Sequence, residues 1–183
     1  MTLDVITLAL WAAFLPMFAA AQSQGVARTV SCNQAFSSAP HVGEAFRGVV
    51  QNSDYHFVAH VPPGLTGWTG TGESAPFHGF AIFLADDRRS CIVFEIHVRV
   101  DQSDAPKRPI DAKPIVLGHA RGWEIETAAK EDSEQFTNVR TVFSFRQRDQ
   151  IDDGSVLLIA PAKRLPEAMA QYRAFLRGLE FGR

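Results

Sequence analysis

The 183-residue chain has only two cysteines, and they form no CxxC pair and no zinc-ligand spacing. HExxH and GxSxG are also absent, which removes the metalloprotease helix and the nucleophile elbow of α/β-hydrolases. Basic charge is not in surplus. Eighteen Lys and Arg against twenty Asp and Glu give a formal charge of −2, so the basic footprint of a nucleic-acid binder is missing. No period of 20–50 residues recurs, which excludes a repeat array. Hydrophobic residues at 46% and charged residues at 21% exclude a disordered or collagen-like chain and fit one soluble domain. Thirteen Gly and ten Pro favour turns over long helices.

Long hydrophobic runs are also scarce. One runs from Val5 to Ala21, is uncharged, barely reaches the length that spans a bilayer, and is interrupted by Pro16. It ends in Ala19-Ala20-Ala21 before Gln22, a small-residue pattern of the kind signal peptidase cleaves, although the segment before it carries Asp4 and no Lys or Arg. The expectation is a signal peptide over residues 1–21 cleaved after Ala21, giving a periplasmic or secreted protein with no integral membrane segment after processing. An N-terminal core helix and a retained anchor are the competing readings. Export makes a Cys32–Cys91 disulfide the simplest outcome for the even pair. Such a bridge closes a loop of about 60 residues and contributes about 4 kcal/mol on the chain-entropy model.

Residues 22–47 are polar and small and read as an irregular N-terminal arm, leaving 48–183 as a single domain. Tyr55 to Val61 alternates, with Tyr55, Phe57, Ala59 and Val61 on one face, and Pro62-Pro63-Gly64 stops it. Strands are expected over Phe80–Leu84 and Cys91–Val100, with Ile92, Phe94, Ile96, Val98 and Val100 pointing one way. The Pro-rich stretch 101–114 reads as a surface loop, followed by strands over Ile115–Ala120 and Gly122–Thr127, with Gly118 a bulge or turn. Val139 to Arg146 alternates again, and Asp152-Asp153-Gly154 reads as a hairpin turn into a strand over Ser155–Ala160. Pro166 then opens a helix whose stripe is Met169, Tyr172, Phe175, Leu176 and Leu179; Gly178 ends it before a short strand. The class is α+β: an antiparallel sheet with a C-terminal packing helix.

Few residues suggest chemistry. Glu95, His97 and Arg99 alternate on one strand face, about 6.7 Å apart in succession, and a carboxylate beside an imidazole is the pair that tunes a general base. No nucleophile frame accompanies them, and the plain reading is a solvated sheet face. His56 and His60 lie about 13 Å apart on a strand and cannot chelate one ion alone, so no metal is expected. Residues 62–79 read as a long Gly-rich loop. It lacks the Lys-Ser/Thr ending of a phosphate-binding loop, so no cofactor is expected, but Trp68, Phe77 and His78 are candidate binding anchors on it. Arg140 and Arg146 read as part of a solvated polar face.

The segment Ser53 to Gly64, an aromatic strand ending in Pro-Pro-Gly, resembles the opening strand of Mog1/PsbP-like domains. Pro114 to Ala120 is similar to their middle strand, and Ala170 to Phe181 to their closing helix and strand. The resemblance implies an α/β/α sandwich and a non-catalytic binding or assembly role. Three functions follow as expectations. The first is an exported non-catalytic domain of the cell envelope, its partner a protein or envelope component and not a nucleic acid, held through the 62–79 loop and the polar sheet face. The alternatives are a small secreted hydrolase using a His/Glu pair, and an envelope immunity or inhibitor protein.

Overall fold

A computed structural model describes residue 32 and residues 45–72, 79–86, 90–131, 133–147 and 149–182. The expected signal peptide, most of the N-terminal arm, Phe77 and His78 lie outside them. Among the described residues ten strands and the C-terminal helix form an α+β fold. Three strands make a small sheet in the order β1 (Val49–Asn52), β2 (Phe57–His60), β10 (Leu179–Phe181). Seven make a large antiparallel sheet: β3 (Thr66–Gly72), β4 (Gly79–Ala85), β5 (Cys91–Val98), β9 (Gln150–Pro161), β8 (Glu134–Gln147), β7 (Ala120–Glu131) and β6 (Lys113–Leu117). Two meanders, β3–β5 and β6–β9, thus meet where β5 pairs with β9. No helix among the described residues is long and apolar enough to cross a membrane.

Alternation decides which face is buried. On β8, Val139, Thr141, Phe143 and Phe145 all point inward and are buried, as their period of two requires. They meet the inward residues of β5 and β9 and are covered by the helix α1 (Leu165–Arg177) together with the small sheet. Phe94 of β5 is the hub. Its ring lies 5.0 Å from Phe57, 6.1 Å from Phe175 and 6.5 Å from Phe143. Phe181 of β10 closes the end of the core, 4.5 Å from Phe145 and 5.1 Å from Phe143.

Pro166 stands in the first turn of α1, where its missing N–H costs nothing, and Gly178 caps the other end by donating to the Ala174 and Phe175 carbonyls. The buried Tyr172 hydroxyl donates to Thr141 Oγ1 at 2.7 Å, and Thr141 in turn donates to Glu124 at 3.0 Å. Glu124 also receives both Arg173 guanidinium nitrogens at 2.5 Å. This chain ties α1 to β7 and β8, and burial pushes the Tyr172 phenol above its ordinary pKa. Gly154 and Gly122 are required by close approach. A Cβ at Gly154 would lie 2.4 Å from the Phe143 ring, and one at Gly122 would lie 1.8 Å from the Val142 carbonyl oxygen.

Three expectations change. The stretch 62–79 is not all loop, because residues 66–72 form β3, paired with β4 from Thr66↔Ala85 to Gly72↔Gly79. Trp68 therefore sits on a strand. Asp152-Asp153-Gly154 is not a turn: these residues lie within β9, and the reversal falls between Gln147 and Gln150. Pairing with β5 on one side and β8 on the other overrides their local turn preference. The third strand ends at Val98, although the Arg99 amide still reaches the Ile151 carbonyl in register and its side chain bonds Asp153. α1 covers one face of the large sheet, and Cys32, itself helical, is buried against the other.

Candidate functional site

The other face of the large sheet is where the predicted polar residues gather. Register pairs place side chains in rows across it. Arg99, Ile151 and Arg146 form the first row, since the Arg99 amide donates to the Ile151 carbonyl at 2.8 Å and Ile151 pairs with Arg146. His97, Asp153, Ser144, Arg121 and Val116 form the second. Glu95, Ser155, Val142, Trp123 and Pro114 form the third. Beyond them the face turns apolar, and there Cys32 and Cys91 join in a disulfide with Cα atoms 5.7 Å apart, among Phe83, Val93, Phe136 and Ile159.

Asp153 organises the polar half. It is 2% exposed and receives Arg99 in a fork, Nε at 2.7 Å and Nη2 at 2.5 Å. Ser144 donates its hydroxyl to the same carboxylate at 2.5 Å and accepts from Arg99 Nη2 at 2.9 Å. Every donor is aimed at the buried charge, which is the condition for a low-dielectric ion pair to be tolerated. Glu95 and His97 stand exposed beside this knot, and the Ser155 hydroxyl reaches Glu95 only at 3.5 Å. The expected shared face of Glu95, His97 and Arg99 is thus present, but Arg99 is committed to Asp153.

The row His97–Asp153–Ser144 contains the three residue types of a serine hydrolase, in the wrong order. Nucleophilic catalysis needs the imidazole between hydroxyl and carboxylate. Here the hydroxyl donates directly to the carboxylate, and Arg99 neutralises that carboxylate. Among the described residues no cluster of three metal-ligating side chains occurs. His60 Nε2 lies 3.8 Å from Glu180, and His56 stands in the β1–β2 turn at φ 47°, so the two imidazoles do not converge.

Trp68 lies half-buried in register with Phe83. Two features escaped the sequence reading. Asp152, on the core face, is fully buried. One of its oxygens accepts from Gln150 Nε2 at 2.9 Å and the other has no partner among the described residues. Burial pushes its carboxyl above the usual range, against the pull of the Gln150 hydrogen bond and of His56. The second is charge segregation. Away from the β7–β8 hairpin tip, the outer face of β6, β7 and β8 carries Arg121, Arg140 and Arg146 and no carboxylate, whereas Glu124 and Glu126 of β7 fall on the opposite face. Period-two counting along β7 and β8 contains this signal, once the pairing is known.

No protein-family model matches the chain, and no curated protein matches it. Among solved structures it is similar to LpqN, described as involved in cell envelope biogenesis of Mycobacterium tuberculosis, at 9% identity and a TM-score of 0.48, covering 77% of this chain and 93% of that one. A protein from Bacteroides thetaiotaomicron VPI-5482 is similar at 9% identity and a TM-score of 0.44, covering 75% of this chain and 49% of the other. No function passes from either to this chain.

Proposed function

We propose that the chain is an exported, non-catalytic binding or assembly domain of the cell envelope, working through the outer face of its large sheet. The observation that carries this reading is the Arg99–Asp153–Ser144 knot, which fixes a charged platform with exposed Glu95, His97, Arg121 and Arg146 around it. The buried disulfide fits an oxidising compartment, and the uncharged run Val5–Ala21 supplies a signal peptide cleaved after Ala21. The likeness to Mog1/PsbP-like domains belongs to the same reading, since β2 is followed by Pro62-Pro63-Gly64 and α1 by β10. Trp68 lies on the same face in edge strand β3 and extends the platform. The test is retention from envelope extract. Wild type is expected to hold one partner in stoichiometric amount, and Glu95→Ala/His97→Ala to lose it while unfolding at an unchanged temperature. A hydrolytic activity abolished by His97→Ala would contradict the reading.

A further inference from the structure

The outer face of β6–β8 continues the platform around the knot with a run of cations. Arg121 pairs in register with Ser144, and Arg146 stands two residues further along β8, so the two guanidinium stems are diagonal neighbours about 7–8 Å apart. Both are exposed, and neither makes an ion pair among the described residues. Arg140 follows on the same face of β8, half-buried, with its Nε buried and without a partner among the described residues. Between and beside these cations stand half-buried Trp123, exposed Pro114 and exposed Val116. Asp153, in the same row as Arg121, is already held by Arg99 and Ser144, and exposed Asp149 stands in the β8–β9 turn. The chain as a whole carries a formal charge of −2, so this is local segregation rather than general basicity.

Guanidinium groups bind carboxylate or phosphate by paired hydrogen bonds, and the Trp123 indole, one row along from Arg121 on the side away from Arg146, offers a plane to an uncharged ring. Resting on the proposed binding role of this face, we infer that β6–β8 hold an acidic polysaccharide, its carboxylates on Arg121 and Arg146 and a sugar ring against Trp123. A bilayer would call for large apolar side chains standing proud of the surface. Here the exposed aliphatic contribution is Val116 and Pro114, and Trp123 is half-buried.

The experiment is electrophoresis of the folded protein through native gels cast with polygalacturonate, with dextran, or with neither, repeated with Arg121→Gln/Arg146→Gln. Expected is retardation by polygalacturonate alone, weakened at least tenfold in the double variant and diminished by added salt. Equal thermal unfolding of the two proteins establishes that the variant is folded. Absence of retardation overturns the inference, as does retardation that survives the double substitution. Binding to phosphatidylglycerol vesicles or a single-stranded oligonucleotide, with polygalacturonate ignored, also overturns it. An envelope partner lost on Glu95→Ala/His97→Ala alongside indifference to polygalacturonate would leave the binding role standing and remove only the polysaccharide.

Discussion

Asp152 and Asp153 are consecutive and both buried, yet they face opposite sides of the large sheet and are held in opposite ways. Asp153 is matched by Arg99 and Ser144 on the outer face. Asp152 points into the end of the core beside Val98 and Phe145, with one oxygen unpartnered among the described residues. One carboxylate fixes the candidate surface and the other is a standing cost to the fold.

Removing Arg99 strands the Asp153 charge in the sheet. Arg99→Met is expected to lower stability by about 3–5 kcal/mol, the range for breaking a buried pair from one side. Arg99→Met/Asp153→Leu is expected to recover much of that loss. Urea unfolding of the three proteins measures both, and equal losses in the single and double variants would show that the pair is not coupled.

Asp152 gives the pH dependence its sign. Its folded pKa is raised by burial, so the folded state binds a proton that the unfolded state, at about 3.9, has already released. Its contribution to stability is therefore favourable at low pH and is lost as pH rises from about 3.9 to the folded value. Asp152→Asn is expected to unfold at a higher temperature than wild type at pH 7, with the gain vanishing near pH 3.5. A gain that is the same at both pH values would contradict this.

The glycines facing Phe143 and Val142 permit no side chain. Gly122→Ala puts its Cβ against a backbone oxygen that a rotamer change cannot move, so a loss of several kcal/mol or failure to fold is expected. At Gly154 the obstacle is the Phe143 ring, a side chain, and Gly154→Ala is expected to cost less. Chemical denaturation of both variants orders them.

The disulfide closes a separation of 59 residues. Cys32→Ser/Cys91→Ser is expected to lower stability by about 4 kcal/mol. Both cysteines are buried, so reductant is expected to act on the native protein only as fast as it opens. Thiol labelling against time, with and without urea, checks this.

Period-two and helical patterns were legible wherever one face is buried: β8 through Val139, Thr141, Phe143 and Phe145, and α1 from Pro166 to Gly178. The Cys32–Cys91 pairing and the shared face of Glu95, His97 and Arg99 were legible as well. β3 was not, because Thr-Gly-Trp-Thr-Gly-Thr-Gly carries no aliphatic alternation and is a strand only by pairing with β4. Asp152-Asp153-Gly154 reads as a turn locally and becomes strand because β5 pairs with it on one side and β8 on the other. The carboxylate-free face of β6–β8 is a property of three strands in register, which no single stretch displays.

The most direct test of the outer face as the binding surface sets two charge reversals against each other in a retention assay from envelope extract. Arg146→Glu stands on that face, and Glu180→Lys stands on the exposed side of the small sheet. Loss of the stoichiometric partner with Arg146→Glu, and retention with Glu180→Lys, is the expected result. Retention with Arg146→Glu and loss with Glu180→Lys would contradict the account and move the site to the small sheet.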